Sequence, residues 1–188
     1  RARPAGLDEQ IGVVLDKLRT AGREEDTLVF FYSDNGGPIG KFAPNSALNA
    51  PLRGSKGDTW EGGIRVPFLV RWPGHVPARR VDDTSVLAGI DLLPTLTTLA
   101  GVKLPADFAG DGEDRSAVWL GKSGPRRGPL FWNWRFNIAG DAVHKSPQLA
   151  VRDGAWKLHL NPDRTRLELY DIPKDPTQLM NVASQNPE

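Results

Sequence analysis

Apolar residues recur at helical spacing near the amino-terminal end: Leu7, Ile11, Val14, Leu15 and Leu18 share one face, with Asp8, Asp16, Lys17 and Arg19 elsewhere. That period predicts an amphipathic helix over residues 6–21, ending near Gly22 and packing its stripe into a core. After a charged connection at 23–26 the period vanishes, and Thr27 to Tyr32 forms a continuous apolar run of the length of a strand buried on both faces. Helix, short loop and buried strand make an α/β unit. In such sheets ligands collect beyond the carboxyl ends of the strands, where Asp34 and Asn35 fall. Residues 38–63 read as irregular, and a loop of that length inside a compact domain points to function. Val66 to Trp72 predicts a second buried strand, with Pro67 placing it at an edge or a strand start. Asp91 is expected to cap a helix running to Ala100, with Pro94 in its first turn and Gly101 ending it, a structural role.

Composition changes after Gly101. Leu104 to Gly128 is rich in Gly, Pro and Asp, with a short helical piece expected around Ser116 to Leu120. Strands are predicted beyond it at 129–135, 148–152, 156–160 and 166–170, with Asp153-Gly154 as a hairpin turn. These make a small antiparallel sheet, packed by Trp132, Trp134 and Trp156. The expected division is an α/β part over 1–104 and a small subdomain over 105–188.

Charge narrows the partners little. Across 188 residues, 24 Lys and Arg stand against 23 Asp and Glu, so a net charge of +1 gives no reason to expect nucleic acid or an anionic membrane as partner. Without cysteine, disulfides, zinc-thiolate sites and cysteine catalysis are excluded within the chain. No apolar stretch approaches the roughly twenty residues of a membrane span, and Arg1-Ala2-Arg3-Pro4 lacks the apolar core of a signal peptide.

The candidate chemistry sits in two segments. Asp34 and Asn35 offer oxygen ligands that suit a hard divalent cation, although Asp-Asn-Gly-Gly is equally ordinary turn chemistry. Lys56, between Gly54 and Gly57, can present a compact positive charge to a tetrahedral oxyanion, or can be a solvated surface lysine. Glu61, flanked by Arg53 and Arg65, would brace the loops as a buried carboxylate between two guanidiniums, with Asp58 and Trp60 as candidates to line a pocket. His75, His144 and His159 read as structural or exposed.

Ser33-Asp34-Asn35-Gly36-Gly37, the block Pro51 to Pro67, Arg71-Trp72-Pro73-Gly74, Asp91 to Thr95 with Ala100-Gly101, Glu168 to Asp171 and Asp175-Pro176 together resemble, in order and spacing, the sulfatase family, the arylsulfatase-like branch of the alkaline phosphatase superfamily. The resemblance implies an α/β fold: part of an alkaline-phosphatase-like α/β domain followed by a small α+β subdomain with an antiparallel sheet. It implies the carboxyl-terminal part of an enzyme that hydrolyses aryl or carbohydrate sulfate esters. Asp34 and Asn35 would bind Ca2+, or Mg2+ as in some members, and Lys56 would contact the sulfate. His144 would border the substrate pocket.

The family's nucleophile is a formylglycine made from the first residue of a Cys- or Ser-x-Pro-x-Arg signature near the amino terminus. No such signature stands ahead of the Ser33 turn, so the nucleophile segment is expected upstream of this chain. In the complete enzyme the resemblance implies attack of the hydrated formylglycine on sulfur, departure of the alcohol, and expulsion of sulfate as the aldehyde reforms. The chain alone is expected to be inactive, to associate with the missing upstream half or with itself, and to come from an exported protein. Many members carry a histidine two residues before the position of Asp91, where this chain has Gly89. A phosphonate monoester hydrolase or phosphatase of the same superfamily, or a non-catalytic domain binding anions or glycans, are the competing expectations.

Overall fold

The computed structural model describes residues 2–38, 49–134 and 144–187. It forms two compact units, residues 1–32 with 68–126 and residues 33–67 with 127–188.

The first unit opens with α1, Ala2–Thr20, the helix that the apolar period predicts. Its end is a Schellman closure: Gly22 takes a φ of +64°, its N–H reaches the Arg19 carbonyl and that of Arg23 the Leu18 carbonyl. The stripe is only partly covered. Ile11, Leu15 and Leu18 are half-buried, whereas Leu7 and Val14 are 54% and 57% exposed.

β1, Val29–Tyr32, pairs antiparallel with β2, Phe68–Arg71, in a two-stranded ribbon with Val29 opposite Arg71. This corrects the expectation of strands buried on both faces, since Phe30, Phe31, Tyr32 and Leu69 are all exposed. Among the described residues each strand has a single ladder neighbour, and Trp119 packs against the ribbon, 5.6 Å from Phe30 and 5.2 Å from Phe68. Trp119 is delivered by α4, Ser116–Trp119.

A 3-10 turn at Gly89–Asp91 leads into α3, Leu92–Leu99, which Gly101 closes at a φ of +68°. Asp91 is structural but caps differently from the expectation. Its buried carboxylate accepts the N–H groups of Ala88 and Glu113, each at 2.9 Å, and pairs with Arg126 at 2.6 Å, so it closes the 3-10 turn and leaves α3 without a side-chain cap.

The second unit is a four-stranded antiparallel sheet in chain order: β3 Leu130–Asn133, β4 Leu149–Asp153, β5 Trp156–Leu160 and β6 Glu168–Asp171. Asp153 pairs with Trp156 across a Gly154-Ala155 turn, with Gly154 at a φ of +54°. Of the expected first strand, Arg135 lies outside the described residues, as do 39–48 of the irregular stretch.

The register puts Leu130, Ala150, Lys157, His159 and Tyr170 on one face of this sheet, and all five are buried. On the other face Phe131 and Trp156 are exposed, so Trp156 does not pack the sheet as expected. The buried face is covered by the segment that holds Thr59 and leads into α2, Glu61–Ile64, and by the turn that holds Gln178. No helix among the described residues is long and apolar enough to cross a membrane.

Candidate functional site

The chain leaves β1 directly into the turn that carries Asp34 and Asn35, and main-chain bonds sew this turn to the loop that carries Lys56. Gly36 N–H donates to the Gly63 carbonyl at 2.8 Å and Lys56 N–H to the Gly37 carbonyl at 3.2 Å. Asn49 clasps both: its side-chain oxygen accepts from Gly37 N–H at 2.9 Å, and its amide donates to the carbonyls of Gly37 at 2.8 Å and Gly54 at 3.1 Å. The glycines permit this approach. A Cβ on Gly36 would stand 1.8 Å from the Gly62 oxygen, and one on Gly63 would stand 2.1 Å from the Asp58 oxygen.

Asn35 donates its side-chain N–H to the Gly36 carbonyl at 3.0 Å, an orientation that leaves its amide oxygen available as a ligand. Asp34 is exposed and takes no hydrogen bond or ion pair among the described residues. Two adjacent hard oxygen donors suit Ca2+ or Mg2+, though Ca2+ takes about six to eight. No group of three or more His, Cys, Asp or Glu side chains gathers among the described residues, so the remaining ligands would be carbonyls, water or groups outside them.

Lys56 occupies the second position of a β-turn closed by Asp58 N–H on the Ser55 carbonyl at 2.8 Å, with Gly57 supplying the φ of +94° that a type II turn requires at its third. At that corner its side chain is exposed. Asp58 and Trp60 are 9% and 2% exposed, so they pack instead of lining an open pocket.

Glu61 is buried as expected and keeps Arg65 as a partner, but Lys157 and Arg152 stand where Arg53 was expected. Lys157 Nζ sits 2.6 Å from Oε1, while Arg152 and Arg65 stand at 3.8 and 4.0 Å from Oε2. Arg53 goes elsewhere. It donates to the Tyr170 hydroxyl at 3.2 Å and to the Gln178 carbonyl at 3.0 Å, and lies 3.5 Å from the centre of the Trp60 ring. A guanidinium that stacks and donates to neutral oxygens anchors the loop without the carboxylate that the sequence pattern pairs it with.

Behind the loop runs a closed chain of hydrogen bonds. Gln178 accepts from Glu61 N–H at 2.6 Å, so its amide nitrogen faces His159 Nε2 at 2.8 Å and must donate to it. His159 therefore carries its proton on Nδ1 and donates to the Thr59 hydroxyl at 3.0 Å, which donates in turn to the Pro147 carbonyl at 3.0 Å. Burial, then the charges of Lys157, Arg53 and Arg166, push His159 down to about 3. Burial likewise pushes Lys157 down to about 8, with the Glu61 carboxylate opposing.

His159 is structural, as expected, whereas Lys157 and Gln178 escape pattern reading because their contacts with Glu61 are distant in sequence. His144 is exposed, two residues before Ser146, whose N–H donates to Asp58 at 3.0 Å. One Ser-x-Pro-x-Arg string does occur, at Ser123-Gly124-Pro125-Arg126-Arg127, far beyond the place where the family's signature is expected. It links elements. The Ser123 hydroxyl donates to Asp82 at 3.1 Å and accepts from Arg80 at 2.6 Å, and the carbonyls of Gly124 and Pro125 each accept from Arg115 at 2.7 Å. At Gly89 a Cβ would meet the Tyr32 hydroxyl at 2.9 Å, so Tyr32 fills the space a larger residue would need.

Two family models match the chain: the sulfatase model over residues 5–102, and the model for the carboxyl-terminal part of N-sulphoglucosamine sulphohydrolase over 56–188. A sulfatase of Formosa agariphila is 33% identical across 96% of this chain and 34% of its own length. Human arylsulfatase A is 33% identical across 97% of this chain and 39% of its own. The PsFucS1 sulfatase structure from Pseudoalteromonas sp. aligns with a TM-score of 0.75 at 27% identity, covering 96% of this chain and 38% of that one. The chain thus spans between a third and two fifths of these three proteins. With a model match over more than half its residues and alkaline-phosphatase-like α/β structures as neighbours, the chain belongs to the sulfatase family.

Proposed function

We propose that the chain is the carboxyl-terminal part of a sulfatase that hydrolyses sulfate esters of aryl or carbohydrate substrates, two of the classes named by its relatives. The observation that carries this reading is the pair of main-chain bonds, Gly36 to Gly63 and Lys56 to Gly37, that joins the oxygen-donor turn and the lysine corner in one body. Asp34 and Asn35 hold a divalent cation, Ca2+ before Mg2+, and Lys56 offsets negative charge on the transferring sulfuryl group. When bound, the cation would act as a Lewis acid and orient the formylglycine nucleophile expected upstream. Arg53, Glu61 and Arg65 brace the loop, and His144 contacts substrate at the rim.

In the complete enzyme, Asp34→Ala or Lys56→Ala should cut aryl sulfate turnover by about 10²-fold or more with the fold intact; near-normal rates would overturn the assignment. The 188-residue chain by itself should show no sulfatase activity. Assaying aryl sulfate against aryl phosphonate separates this reading from a phosphonate hydrolase.

A further inference from the structure

We propose that Asp58 is a positioning residue for Lys56, its carboxylate setting the lysine corner and fixing it to the segment that bears His144. This rests on the reading of Lys56 as the sulfate-binding group.

Both carboxylate oxygens are committed to main chain. Oδ2 accepts the Ser55 N–H at 2.8 Å and lies 3.4 Å from the Ser55 hydroxyl. Oδ1 accepts the Ser146 N–H at 3.0 Å. The next residue repeats the tie in reverse, Thr59 N–H donating to the Ser146 hydroxyl at 2.7 Å. Asp58 is 9% exposed, so its carboxylate is held inside by these donors.

The consequence falls on Lys56, which lies between the two ends of this clasp. Its own N–H makes a long bond to the Gly37 carbonyl, 3.2 Å, and its exposed side chain takes its direction from the turn. A turn closed by one main-chain bond can rock. One whose first N–H is also tied to the side chain of its last residue, and through that to a second segment, cannot. Only a carboxylate serves both sides, since Asn would point its NH2 at one of the two N–H donors.

The test is a double-mutant cycle on the complete enzyme with an aryl sulfate, with melting temperature as the control for folding. Asp58→Ala should lower kcat/KM by about 100-fold, the scale of a misplacement near 1 Å. Asp58→Asn, which keeps one acceptor and the side-chain volume, should fall between Ala and the native residue and serves if the Ala variant fails to fold. Added to Lys56→Ala, either Asp58 change should cost nothing further, because a residue that acts only through Lys56 has nothing left to position. Full additivity, or a normal rate in Asp58→Ala and Asp58→Asn, overturns the proposal while leaving the site assignment intact. A normal rate in Lys56→Ala overturns the site assignment and the proposal with it.

Discussion

Protonating His159 would set two donors against each other, because Nε2 already accepts from Gln178 and the Gln178 oxygen is held by Glu61 N–H. Its pKa of about 3 lies below the usual 6.5, so between those values the unfolded chain binds a proton that the folded chain refuses. Stability from this site is complete above 6.5 and is lost as pH falls toward 3, at up to about 1.4 kcal/mol per pH unit. Urea midpoints between pH 7 and 5 should show that slope, and His159→Gln, which can donate and accept in the same places without titrating, should flatten it; an unchanged slope would remove His159 as its source. The neighbouring Glu61 and Lys157 are a buried pair of another kind. Lys157→Met should cost about 3 kcal/mol by taking from buried Glu61 Oε1 its one hydrogen-bond donor and leaving only the longer contacts of Arg152 and Arg65, while changing both Lys157 and Glu61 to apolar residues of similar size should cost less, read from urea unfolding of the three variants.

At the scale of elements, what was legible in the sequence divides along contact distance. The end of α1 at Gly22, α3 with its Gly101 stop, and the hairpin at Gly154 are local devices, and each stands where its residues announce it. Burial is not local. In β5, Trp156, Leu158 and Leu160 alternate with Lys157 and His159, a pattern that ordinarily sends the apolar set inward, yet the structure buries the polar set because partners from Glu61, Thr59 and Gln178 meet it there. The same limit applied to Arg53, whose partners on Tyr170 and Gln178 lie over a hundred residues away in sequence. The Gly-Gly pairs are an intermediate case: glycine permits close approach, but only the fold shows that Gly36 meets Gly62 and Gly63. Gly36→Ala, which must move the Gly62 carbonyl, should destabilise the unit by about 1–3 kcal/mol and speed exchange of the Lys56 amide, whereas Gly124→Ala, with open space around it, should leave that amide unaffected.

For the molecule as a whole, the question is what the exposed apolar residues of the first unit do in water. Phe30, Phe31, Tyr32 and Leu69 leave a two-stranded ribbon open, and Leu7, Val13 and Val14 add an uncovered patch on α1. Single exposed apolar residues are ordinary, but several on one ribbon that has no third strand among the described residues form a template for a further strand. A net charge of +1 supplies almost no repulsion to keep copies apart. The isolated chain should therefore self-associate, eluting in size-exclusion chromatography ahead of a 20.6 kDa monomer and increasingly so with concentration. Leu69→Lys with Phe31→Glu, a cross-strand pair in the observed register, should shift it back toward the monomer without removing the ladder between β1 and β2. Elution of the unmodified chain as a concentration-independent monomer would mean that the ribbon is covered in solution by some other part of the same chain.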